Sequence, residues 1–200
     1  MRPEKEHSTK DLILSETLKI LGTEGPEKIT IRRIAQKSGV NVASVNYHFG
    51  SKEVLIGEAM KLFGIKMKDI FPKLKDSSVL PETRLRVFLE EFSAMLITYP
   101  GFMKGQVKQL AEGQRPDKRA LENMKFGKEH LCLLIEQLTG VNDNSIIEKI
   151  TFQLMAGIIL PVLHNNFVGQ IYNIDISQPE ELKALIDISI EKLLAYGRRK

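Results

Sequence analysis

The chain has no tryptophan, a single cysteine and no acidic residue between Lys28 and Lys52. Each absence excludes something. A lone thiol, Cys132, closes no internal disulfide and has no zinc-ligand neighbour in sequence. The strings HExxH, GxxxxGK[ST] and GxGxxG do not occur, which removes the zinc-protease, phosphate-loop and dinucleotide readings. A di-iron bundle needs two facing E-x-x-H pairs, and only Glu4 to His7 fits that spacing. The longest apolar run, Leu154 to Leu163, is short for a bilayer and contains Pro161. The opening MRPEKEHSTK lacks the apolar stretch of a signal peptide. The expectation is a cytoplasmic, non-enzymatic protein with no cofactor, no metal and no membrane partner.

What is present is helical. Apolar residues make up 42% of the chain, enough for a real core, and their spacing follows the helical period almost throughout. The pattern predicts an all-α protein of about nine helices. Ser8 caps the first, with Asp11 three residues on and Leu12, Ile13, Thr17, Ile20 and Leu21 facing inward. Gly25-Pro26 stops it. Thr30 caps a short second helix, and Asn41 a third that runs to about His48. A longer helix spans Lys52 to Phe71. Further helices are expected over Glu82–Thr98, from Gly101 to about Glu112, from beyond the Gly113–Pro116 break to Leu138, and over Ser145–Asn165. Gly169 to Ser177 reads as a polar loop, and Ser177, Pro179 and Glu180 as the start of the last helix. The division expected is a short N-terminal helical domain over residues 1–52 and a longer helical domain over residues 53–200.

Net charge is only +4, but its distribution matters more than its size. Lys28, Arg32, Arg33, Lys37 and Lys52 crowd one acid-free stretch, whereas elsewhere acids and bases mix as on ordinary surfaces. That stretch has the parts of a helix-turn-helix. Ala35 is small where two helices must approach, Gly39 makes the turn, and Val40 plugs it from beneath. Val45 and Phe49 lie four apart, on the inner side of the second helix. Val42, Ala43, Ser44 and Asn46 are left outside, all short enough to let a helix sink into a groove. Asn46 suits an adenine edge, Ser44 several bases, and Val42 or Ala43 a thymine methyl. Thr30, Asn41, Arg32, Arg33, Lys37, Tyr47, His48 and Lys52 surround that helix as candidate DNA contacts, chiefly to phosphate. Arg32 and Arg33 are adjacent on a helix and cannot both face the groove.

At these residues the chain resembles the TetR family of bacterial regulators. The resemblance rests on Thr30, Ile34-Ala35, Gly39-Val40, His48-Phe49 and Ser51-Lys52-Glu53, and covers about 50 residues. It departs at Asn46, where the family usually has tyrosine, in an Asn-Tyr-His-Phe variant in which Tyr47 can take the phosphate. The resemblance implies a homodimer that binds a palindromic duplex-DNA operator, usually as a repressor. It also implies a hydrophobic small-molecule effector held in the helical domain. Phe92, Met95, Phe102, Met103, Met124, Phe126, His130, Phe152 and Met155 are candidates to line that pocket. Ile158, Val162, Leu182, Ile186, Ile190 and Leu193 are candidates for the dimer interface. The competing expectation is a helical interaction protein that keeps the fold without ligand-responsive DNA binding.

Overall fold

The computed structural model describes residues 8–198 apart from 114, 116 and 117. Glu4, His7, and Gln114 and Pro116 of the expected break therefore lie outside the described residues. Ten α-helices occur among those described. They are α1 (Thr9–Glu24), α2 (Ile31–Lys37), α3 (Val42–Phe49), α4 (Lys52–Lys68), α5 (Pro81–Thr98), α6 (Pro100–Ala111), α7 (Lys118–Thr139), α8 (Asn144–Leu163), α9 (Asn165–Tyr172) and α10 (Pro179–Gly197). A 3-10 segment, Phe71–Lys75, follows α4.

The chain divides into two compact units. The first runs to Lys66 and takes in Thr98–Gly105, and the second holds Met67–Ile97 and the residues from Gln106 onward. In the first unit, α1 starts where the Ser8 hydroxyl accepts the Asp11 amide. Ile13, Thr17, Leu18, Ile20 and Leu21 form its buried side. Leu12 does not belong there: it is 41% exposed, and Leu18 takes the inner position instead. Ile34, Ala35, Val45, Phe49, Leu55 and Ala59 complete the core from α2, α3 and α4. Phe102 of α6 joins them, its ring stacked 3.9 Å from Phe63. Removing each larger apolar side chain from water favours this packing by roughly 1.5–3 kcal/mol. Gly101 lets α6 approach α1, because a Cβ there would stand 2.7 Å from the Gly22 carbonyl oxygen.

The second unit is built on α5, α7, α8 and α10, with Leu85, Phe88, Leu89, Ile135, Ile158, Ile186 and Ile190 buried. Two arginines tie it together. Arg84, itself buried, donates to the Leu74 carbonyl at 3.1 Å and to Gln137 Oε1 at 2.8 Å. Arg86 pairs with Asp187, which holds that carboxyl below the usual aspartate range.

By length and composition alone α8 could cross a membrane. Its Ile147, Leu154, Ile158 and Val162 side is buried within this unit, while Phe152 and Leu160 are exposed. The expected loop over Gly169–Ser177 begins inside a helix, α9, which holds Gly169 and ends at Asn173 in the left-handed region at φ 56°. Ser177 does not cap α10. Its hydroxyl donates to Asp175 at 2.6 Å, and Gln178 occupies the cap position.

Candidate nucleic-acid interface

The turn between α2 and α3 is held by short-range bonds that the residue types dictate. The Thr30 hydroxyl accepts the Arg33 amide at 3.2 Å, and Asn41 Oδ1 accepts the Ser44 amide at 2.7 Å. Each cap contributes about 1 kcal/mol. Gly39, at φ 68°, takes the left-handed conformation that redirects the chain, and the Val40 amide returns to the Ala35 carbonyl at 3.0 Å. With Val45 fully buried and Phe49 nearly so, the orientation of α3 about its axis is fixed.

That orientation sets what α3 presents. Val42, Ala43, Asn46 and Tyr47 are exposed, and Ser44 and His48 are half-buried. Tyr47 is 86% exposed, an unusual position for so large a ring unless something else covers it. It meets the His48 ring edge-on at 5.2 Å, which places both at the C-terminal end of α3. Lys52 begins α4, where a positive side chain opposes the helix dipole. Beside it, Glu53 is held below the usual carboxylate range by its hydrogen bonds to its own amide and to Ser51, so the acid serves the helix start.

The two adjacent arginines separate here. Arg33 donates to Glu24 Oε1 at 2.7 Å and to the Lys28 carbonyl at 3.2 Å, turning back toward the end of α1. Arg32 is exposed and has no protein partner among the described residues, as is also true of Lys37. Once Arg33 is paired, the free cations of the acid-free stretch are Lys28, Arg32, Lys37 and Lys52.

An N-terminal helix-turn-helix whose second helix is turned outward with short side chains, ringed by unpaired cations, is a reading head for duplex DNA. Residues 13–59 match the family model described as bacterial regulatory proteins, tetR family. Its N-terminal segment is thus similar to the DNA-binding domain of TetR-family regulators. Solved structures of TetR-family regulators share the chain's fold across nearly the whole length. One from Streptomyces coelicolor matches with a TM-score of 0.68 at 17% identity, covering 94% of each chain. One from Legionella pneumophila gives 0.63 at 16% identity, covering 96% of this chain and 99% of its own. A fatty acid degradation regulator from Bacillus halodurans gives 0.61 at 19% identity, covering 96% of this chain and 97% of its own. None of the curated proteins matches by sequence. The matched domain and the shared fold support a DNA-binding transcriptional regulator of the TetR type.

The other residues singled out from sequence fall in different places. Phe102 and Met103 lie in the first unit, where Phe102 is part of the core around α1 and α4 rather than a pocket of the TetR-type regulatory domain. Phe152 is 73% exposed and lines no interior. Phe92 and His130 are buried, Met95 and Met155 half-buried, and Met124 and Phe126 exposed. The aromatic cluster that joins Phe92 to Phe126 runs through Phe71 and Phe88. Sequence reasoning passed over both, although Phe88 lies one helical turn before Phe92. A groove of about 390 Å³ between α7 and α8 is lined by Lys128, Cys132, Leu133, Glu136, Ile147 and Glu148 among others, and includes none of the predicted pocket residues. Ile158, Val162, Ile186, Ile190 and Leu193 are buried inside the single chain, and Leu182 is half-buried. Their apolar area is already removed from water without a partner. The uncovered apolar side chains on α8 and α10 are Phe152, Leu160, Ile188 and Tyr196.

Proposed function

We propose that the protein acts in the cytoplasm as a homodimeric repressor, bound to a pseudo-palindromic operator and released from it by a hydrophobic small molecule. The observation that carries this reading is the exposed face of α3 between two sets of unpaired donors. Val42, Ala43, Ser44 and Asn46 read base edges, while Thr30, Asn41, Lys37, Tyr47, His48 and Lys52 set register on the phosphates. Arg32 reaches the groove, and Arg33 braces the head. A single recognition helix reads too few base pairs for a useful site, so two copies present their helices ~34–36 Å apart to successive major grooves. The exposed Phe152 and Leu160 of α8 and Ile188 of α10 give the second copy an apolar surface to cover. The effector acts by binding one state of the dimer better than the other, since equal binding shifts nothing.

Selection of bound sequences from random duplex DNA, followed by affinity at two salt concentrations, tests the reading. The expected result is a two-fold symmetric consensus held at least ~1000-fold more tightly than random duplex. Salt-sensitive binding with no consensus would leave only the electrostatic contribution and overturn it.

A further inference from the structure

The second unit contains a buried imidazole with one nitrogen unused. His130, on α7, is 8% exposed. Its Nδ1 lies 2.6 Å from the Phe126 carbonyl oxygen, one turn back on the same helix. A carbonyl only accepts, so Nδ1 carries a proton, and in the neutral ring Nε2 is the acceptor. Nε2 is buried and has no hydrogen-bond partner among the described residues. Leaving a buried polar atom unmet costs about 1–3 kcal/mol, so such an atom asks for a ligand or a water.

The surroundings favour a ligand with an apolar body. The Phe126 ring centroid is 4.1 Å from that of His130. Phe126 meets Phe71 edge-on at 5.9 Å, Phe71 lies 5.7 Å from Phe88, and Phe88 stacks 5.6 Å from Phe92. Gly127 makes room for this, since a Cβ there would come within 2.5 Å of the Phe71 ring. The cluster reaches solvent at Phe126, which is 43% exposed and stands directly beside the imidazole. None of the four phenyl rings can donate a hydrogen bond to Nε2.

We propose that His130 is the polar contact of an effector site, and that the effector is an aromatic or aliphatic molecule bearing a hydroxyl group. Its apolar part packs among Phe71, Phe88 and Phe126, and its O–H donates to Nε2. A carboxylate of the same size is disfavoured, because it has no proton to give an acceptor nitrogen in an apolar cluster. This rests on the reading of the second unit as the effector domain.

The test uses the full chain and matched probes, 4-ethylphenol and ethylbenzene, in titration calorimetry. The intact protein should bind the phenol about 10-fold more tightly, a ratio equal to ~1.4 kcal/mol and within the range of one hydrogen bond. His130→Phe should lose that preference while keeping ethylbenzene affinity within about 3-fold. Should the variant fail to fold, the histidine Nε2 ¹⁵N resonance of the intact protein serves instead, and it should shift on adding the phenol. Equal affinity for the two probes, an unchanged preference in His130→Phe, or a resonance that does not move would each overturn the site. Binding of neither probe would also overturn it, leaving an ordered water as the only partner of Nε2. Operator affinity measured on the same samples separates the two failures. Operator bound and probes ignored removes this site alone, whereas a protein that binds no operator removes the regulator reading itself.

Discussion

Replacing Arg32 and Arg33 separately with alanine assigns the work of two neighbouring cations. Arg33 holds Glu24 and the Lys28 carbonyl, joining the end of α1 to the start of α2. Both partners of the ion pair are partly exposed, at 32% and 40% for the side chains, so the pair itself is screened and contributes at most ~1 kcal/mol. With the bond to the carbonyl, Arg33→Ala should cost about 1–2 kcal/mol of stability, a fall of roughly 2–8 °C in Tm. Arg32 is exposed and has no partner among the described residues, and its removal should leave stability within ~0.5 kcal/mol. On the selected operator the order reverses. Arg32→Ala should lose about 1–3 kcal/mol of binding if it reads a base, with relaxed preference at one position, or flatten the salt slope by about 1 if it holds a phosphate. Fluorescence anisotropy over a salt series and a thermal melt of each variant supply both numbers. Full operator affinity in Arg32→Ala would refute the reasoning. So would a large loss of affinity in Arg33→Ala with an unshifted Tm.

Asn46→Ala should relax base preference at one operator position without a uniform loss of affinity, read by repeating the selection with the variant. Gly101→Ala should lower Tm by a few degrees, since the new methyl group meets the backbone of Gly22 and Leu21 and overpacking of this kind costs about 1–3 kcal/mol. Phe152→Glu should shift the dimer toward monomer in analytical ultracentrifugation while leaving the monomer folded, because the ring is exposed on α8. Asp175 is held well below the ordinary aspartate range by hydrogen bonds from Asn165, Ser177 and Gln178. Its folded-state value is depressed, so its stabilisation is complete above the unfolded value near 4 and is lost as pH falls below that toward the folded value. Hydrogen exchange at the start of α10 should therefore accelerate below about pH 4, and Asp175→Asn should remove that dependence.

How much of this was legible in the sequence depends on the range of each interaction. Caps at Ser8, Thr30 and Asn41 bridge three residues, so the residue type and its position sufficed to place them. The outward face of α3 followed from Val45 and Phe49 in the same way. The roles of Arg32 and Arg33 did not, because the deciding partner, Glu24, lies nine residues back on another helix. Periodicity identified the apolar sides of α8 and α10 but not which neighbour takes them, and Ile158 and Ile186 turned inward within one chain. α9 was missed because Gly169 and Asn173 read as turn residues. Only Asn173 ends the helix, while Gly169 is accommodated within it.

The aromatic contact of Phe102 and Tyr99 with Phe63 bears on how regulators of this kind can be recombined. A chimera that transfers residues up to Lys66 onto another regulatory domain would copy every DNA-facing side chain and still leave behind part of the head's own core. The exposed Phe63 ring and the vacated surface of α1 would make such a hybrid prone to aggregate at unchanged operator specificity. A graft that also carries Thr98–Gly105 keeps the module whole, so the transferable unit is two segments long.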